Sequence, residues 1–181
     1  MPDLTMPPQK LADYLRKSNI ALALSSTDED APLVLVNDSF CALTGYAEED
    51  VIGQNCRFLQ GEDTTHAMRQ PLHDFVHGEG PDAGRFPVLN YRKDGTPFHN
   101  YVYMSRMRDR SGEVIFILAS QFDMTGALQR SKVRKNDGTL YDALTDISQI
   151  TREFGLAMQE SSQLLADSVA VMARLTLDDP Y

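Results

Sequence analysis

Three apolar runs of strand length occupy the middle of the chain and restrict its fold more than anything else in it. Arg85 to Tyr91, Pro97 to Arg108 and Glu113 to Phe122 are linked by two short turn-forming junctions, Lys93-Asp94-Gly95 and Asp109-Arg110-Ser111-Gly112. Strands joined so tightly pair antiparallel with their neighbours in sequence, so this stretch reads as a three-stranded meander. Ahead of it, Ile20 to Leu24 and Leu33 to Val36 flank the polar turn Ser25 to Pro32 and form a second hairpin.

Helical segments separate the two strand groups. Asp38 or Ser39 is placed to cap a helix that runs through Thr44 and stops at Gly45, Ala47 to Val51 makes a short turn, and Thr64 to His77 spaces Met68, Leu72, Phe75 and Val76 along one helical face. Pro8 to Ser18 adds a short amphipathic helix with Leu11, Tyr14 and Leu15 on one side. The class is therefore α+β: a five-stranded antiparallel sheet with short helices over one face. Three regions follow: an N-terminal helix over residues 1–18, a core over 19–125, and a helical extension over 126–181. In the extension, Ala127 to Lys135 precedes a break at Asn136-Asp137-Gly138, and Thr139 to Leu175 carries apolar residues at three- or four-residue spacing. Two or three amphipathic helices, as a helical hairpin, are expected there.

The stretch most able to carry chemistry is Gly53-Gln54-Asn55-Cys56-Arg57-Phe58-Leu59-Gln60-Gly61. Asn55 is a natural N-cap for a short helix starting at Cys56. On such a turn Cys56 and Gln60 are four apart and Arg57 and Gln60 three apart, so a thiol, a guanidinium and an amide converge. That set suits a flat ligand with an anionic tail.

The run Asn55-Cys56-Arg57-Phe58-Leu59-Gln60 resembles, letter for letter, the signature of the LOV (light-oxygen-voltage) photosensors, a PAS-fold branch that binds flavin mononucleotide (FMN). Pro32 to Tyr46, Asn90 to Gly95, Phe98-His99-Asn100 and Ser120 to Asp123 extend the resemblance over residues 19–125, in the manner of a short bacterial-type LOV protein with helical extensions. It implies the PAS/LOV fold and a site in which Cys56 bonds reversibly to the flavin C4a carbon after blue-light absorption. Arg57 would hold the phosphate, Asn55 and Gln60 the ribityl chain, with Leu59 also against the cofactor. Asn90 and Asn100 would read the pyrimidine edge, because a carboxamide both donates and accepts. Gln121 would rotate its amide when the flavin N5 changes from acceptor to donor, and so pass the change to the last strand. Many members carry a second arginine seventeen residues beyond the thiol. This chain has His73 there, and Arg69, one turn earlier, is the expected substitute.

If Asn90, Asn100 and Gln121 face a ligand, the two-residue period of a strand turns Leu89, Tyr91, Tyr101, Tyr103, Val114, Phe116, Leu118 and Phe122 the other way. That face is too apolar to meet water, so it is expected beneath the flanking helices, a second copy of the chain, or both. A homodimer that responds to light follows as an expectation. The net charge of −9 excludes a sequence-independent grip on nucleic acid, which needs Lys and Arg facing phosphates. Only two cysteines occur, and both read as free thiols, Cys41 as a small buried apolar residue. His73-Asp74-Phe75-Val76-His77 imitates a zinc-hydrolase helix but lacks the glutamate and a third ligand, so no metal is expected. Without a signal segment, a membrane span or an enzymatic signature, the chain reads as a cytoplasmic, non-enzymatic receptor. The rival is a light-independent flavin or redox module of the same fold.

Overall fold

The computed structural model describes residues 6–109 and 111–129. Its elements are α1 (Gln9–Arg16), β1 (Ala21–Ser26), β2 (Leu33–Val36), α2 (Asp38–Thr44), α3 (Glu48–Val51), a 3₁₀ turn (Cys56–Leu59), α4 (His66–Val76), β3 (Ala83–Tyr91), β4 (Pro97–Arg108) and β5 (Val114–Asp123). The strands form one antiparallel sheet in the order β2-β1-β5-β4-β3, as the meander and hairpin require. After β5 the backbone is helical from Thr125 to Gln129. The helices expected over 130–181 lie outside the described residues. Among the described residues, no helix is long and apolar enough to cross a membrane.

Alternation along β1 divides the core into two layers. Ala21 and Ala23 pack with Leu33, Val36, Phe40, Val51 and Leu59, beneath α2, α3 and the 3₁₀ turn. Leu22 and Leu24 point the other way and join Met107, Phe116 and Leu118 against Leu11, Ala12 and Leu15 of α1. The N-terminal helix thus covers part of the apolar outer face. Eight residues are too few for a helix to stand alone in water. Burying Leu11 and Leu15 almost completely contributes about 1.5–3 kcal/mol each and holds it in place. Further along that face Tyr101, Tyr103 and Phe122 form an aromatic row, with successive ring centroids 5.7 Å apart. Tyr91 departs from the expected alternation at the sheet edge: its ring packs on Gly61, where a β-carbon would lie 2.4 Å from it, and its hydroxyl donates to Asp63.

Three local expectations are corrected. Neither Asp38 nor Ser39 caps α2; Asn37 does, accepting from Phe40 N at 3.0 Å. The cysteine turn is 3₁₀ rather than α-helical, with Gln60 already extended beyond its end, so the four-residue spacing of Cys56 and Gln60 does not stack them on one helix face. Thr64 lies outside α4 because its hydroxyl is engaged elsewhere, accepting from Gly61 N at 2.9 Å and donating to Leu89 O at 2.7 Å.

Asn37 does more than cap. Its Oδ1 also accepts from Leu22 N at 2.9 Å, and its Nδ2 faces the carbonyls of Leu15, Ser18 and Ile20 at 3.2, 3.1 and 2.8 Å. One buried amide therefore joins α1, β1 and α2. Asn37→Ala leaves several of these groups without partners, and a loss of about 3 kcal/mol or more is expected. Urea unfolding would read this as a lower midpoint with an unchanged slope. Asn37→Asp should do no better, since it sets an acceptor against three carbonyls.

Candidate functional site

The inner face of the sheet, the 3₁₀ turn and α4 enclose a cavity of about 700 Å³. Period two puts Val88 and Asn90 of β3, Asn100, Val102 and Met104 of β4, and Ile117, Ala119 and Gln121 of β5 on its floor. Cys56 and Gln60 line it from the turn region, and Arg57 and Arg69 line it with Glu29, Asp30, His73 and His77. The cavity is apolar over most of its wall and polar at two places.

The first is a row of carboxamides across three strands. Asn100 Nδ2 donates to Asn90 Oδ1 at 2.9 Å and to Gln121 Oε1 at 2.8 Å. All three residues are at least 96% buried, and Asn100 Oδ1 has no hydrogen-bond partner. A buried orphan oxygen costs about 1–3 kcal/mol, and a ligand that donates to it would remove that cost. The second polar place is the set of cations. Arg57 pairs with the Asp30 carboxylate, and both side chains are more than half exposed. Arg69 donates to Gly61 O at 3.2 Å. Asn55 caps the turn through Arg57 N at 2.9 Å and donates to Asp30 O at 2.5 Å, which ties the turn to the β1–β2 loop.

Cys56 retains some exposed surface, and that surface opens on the cavity. Burial pushes its thiol up to about 12, only partly opposed by hydrogen bonding with the Gln121 side chain. The sulfur is therefore protonated at neutral pH. Gln121 also borders a second hollow of about 290 Å³, lined by Asn19, Ser39, Phe122 and Met124 among others, so it stands between the inner cavity and the chain's exit from β5.

The structure brings eight of the nine residues singled out from sequence to this cavity: Asn55, Cys56, Arg57, Gln60, Arg69, Asn90, Asn100 and Gln121. Leu59 is not among the lining residues; it is 1% exposed and packs in the core with Phe40 and Val51. Sequence reasoning missed the apolar floor, although the alternation that sends Leu118 outward also sends Ile117 and Ala119 inward. It also missed His77. The rings of His73 and His77 stack at 4.0 Å, and among the described residues no group of three His, Cys, Asp or Glu could hold a metal ion.

An antiparallel sheet closed over by short helices around a cavity defines the PAS class of sensory fold, and the PAS domain family profile matches residues 19–126. The chain belongs to that family. Within it this is a LOV domain: over 60% of the chain it superposes on 99% of the LOV domain of a blue-light-activated histidine kinase from Erythrobacter litoralis, with 31% identity and a TM-score of 0.56. It also resembles a structure solved to probe the mechanism of a LOV domain with a flavin analogue, at 30% identity over 71% of this chain and 94% of that one, with a TM-score of 0.59. Among curated proteins, Blue-light-activated histidine kinase 1 of Erythrobacter litoralis is 33% identical over 98% of this chain. The chain spans 53% of that kinase's length.

The buried thiol has a consequence for stability against pH. An unfolded cysteine titrates at roughly 8.5, so between there and about 12 the unfolded chain gives up a proton that folded Cys56 keeps. Its contribution is fully present below that window and is lost as pH rises through it. Cys56→Ala should remove a slope approaching about 1.4 kcal/mol per pH unit. The difference between wild-type and variant unfolding free energies, measured from pH 8 to 11, isolates the effect.

Proposed function

We propose that this chain is a blue-light sensor that holds FMN in the inner cavity and uses Cys56 as its photoreactive thiol. One observation carries the reading: a protonated cysteine and a buried glutamine line the same cavity, and the glutamine belongs to a buried carboxamide row in which the Asn100 oxygen has no hydrogen-bond partner. Bound there, the flavin would supply blue-light absorption and the ring carbon with which a thiol bonds reversibly. The protein's residues do the rest.

Asn90 and Asn100 offer donors and acceptors to the edge of a flat heteroaromatic ring, and the aliphatic floor excludes water from its faces. Arg57 and Arg69 supply cations for a phosphate, with His73 on the same helix as Arg69. Asn55 and Gln60 serve the polar chain between ring and phosphate. Leu59 fixes the turn from beneath rather than touching the ligand. Cys56 brings both sulfur and proton, which suits a reaction that needs a neutral thiol rather than a thiolate. A primary amide can present either its oxygen or its nitrogen, so Gln121 can follow a neighbour that changes from acceptor to donor. Its strand pairs with both β1 and β4, and a shift of that amide would act on them and on the helices that flank the sheet. In this reading the chain senses rather than catalyses turnover, and works as a homodimer whose geometry or affinity changes with light.

A visible spectrum before and after a blue flash is the decisive experiment. Yellow protein that bleaches and recovers in darkness is expected, and colourless protein would refute the flavin reading. Cys56→Ala should keep the colour and lose the bleaching; bleaching that survived would remove Cys56 from its role. Yellow wild-type protein that never bleaches would favour the light-independent module. Light scattering in darkness and under illumination tests the dimer, and an unchanged monomer in both would reject it.

A further inference from the structure

Arg106 is buried at the far end of the strand that carries Asn100, and nothing in the proposed photochemistry uses it. It continues the inward stripe of β4 after Asn100, Val102 and Met104, at the point where the sheet passes beyond the cavity. Its side chain is 4% exposed. Nη2 donates to Phe75 O at 2.8 Å and Glu79 O at 2.6 Å, and Nη1 to Gly80 O at 3.1 Å and Pro81 O at 3.3 Å. The guanidinium also lies 4.4 Å over the Phe75 ring. Asp82 is 3.5 Å from Nη1, and its own carbonyl accepts from Arg106 N at 2.8 Å. One planar cation thus gathers the last turn of α4 and the whole return loop to β3.

The helix it gathers is otherwise held mainly by Phe75, with Met68, Leu72 and Val76 only partly buried against the core. Phe75 is the only fully buried side chain of α4, and Pro71 inside the helix removes one of its own backbone hydrogen bonds. Yet α4 supplies one wall of the cavity through Arg69, Leu72, His73 and Val76. The carbonyls at a helix C-terminus lack intrahelical donors and carry partial negative charge, so a forked cation both satisfies and orients them.

From this geometry we infer that Arg106 is a positioning residue for the ligand cavity: by clamping the C-terminal end of α4 to β4 it sets how far the helical wall stands from the amide-bearing floor. A lysine keeps the charge but cannot fork to four carbonyls, and this separates positioning from electrostatics. The inference rests on the flavin reading only for the ligand it names.

The test compares wild type, Arg106→Lys and Leu15→Ala in the full chain. Leu15 lies in the outer core under α1, so its truncation lowers stability without touching α4. Two readouts are taken, the rate at which bound FMN is released and amide hydrogen exchange along the chain. Arg106→Lys should release FMN about tenfold faster or more, as expected for the loss of a charge-assisted hydrogen bond. It should also speed exchange selectively in α4 and the loop behind it, with α2 unchanged. Leu15→Ala should leave FMN release within about twofold of wild type. Equal release rates in wild type and Arg106→Lys, or exchange that rises uniformly, would overturn the inference. So would FMN release from Leu15→Ala as fast as from Arg106→Lys. Wild-type protein that takes up no FMN would instead defeat the flavin reading, and the exchange pattern alone would then decide whether Arg106 sets α4.

Discussion

A single primary amide holds the centre of this molecule together. Asn100 gives its two hydrogens to carbonyls on the strands either side, Asn90 on β3 and Gln121 on β5, and so spends its donor capacity within the protein. Its own oxygen is left buried without a donor. Buried polar groups are normally satisfied, and a half-satisfied row at the base of an apolar cavity is tolerable where a bound molecule completes it. The apolar residues around the row keep water from competing for that position. Val88, Val102, Ile117 and Ala119 surround the row on the floor, and the Cys56 thiol lines the same cavity.

Most of the architecture was legible in the sequence because strands and turns declare themselves locally. Period-two alternation and turn-forming residues fixed the meander, and the apolar stripe of α1 announced that it would cover something. What could not be read locally is what depended on distant partners. The role of Asn37 has no local signature, since its five hydrogen-bonding partners are scattered from Leu15 to Phe40. The partners of Arg106 are likewise remote in sequence, from Phe75 to Pro81. The 3₁₀ geometry of the cysteine turn was hidden as well: Asn55 and Gly61 mark its limits but do not distinguish three residues per turn from 3.6. Eight of the nine candidate site residues, singled out through the family resemblance, reach the cavity, and strand alternation accounts for Asn90, Asn100 and Gln121 among them. Leu59 does not, because an apolar residue on a one-turn helix beside a core is drawn to the core.

The two polar clusters are built differently, and this bears on how each would respond to a ligand. The carboxamide row is buried, neutral and fixed by neighbours on paired strands. Arg57 is exposed and pairs with Asp30 on a loop, an interaction worth little in water and easily exchanged for another anion. Recognition at the floor is therefore a matter of geometry, whereas the cations can rearrange. Arg92 adds a third kind of link, donating to Leu43 O and pairing with Asp123 at 2.6 Å while it stacks over Phe98. It joins the β3–β4 hairpin to α2 and to the end of β5, beside the start of the following helix.

The register of the two neighbouring strands β1 and β5 sets Ala21 directly across from Gln121. The polypeptide consequently comes into the sheet and goes out of it one inter-strand step apart, about 5 Å. A unit built this way can be spliced between two stretches of a larger protein without forcing them apart, much as a bead sits on a thread. Whatever is attached before and whatever is attached after then start from the same corner, next to Gln121, which also lines the cavity.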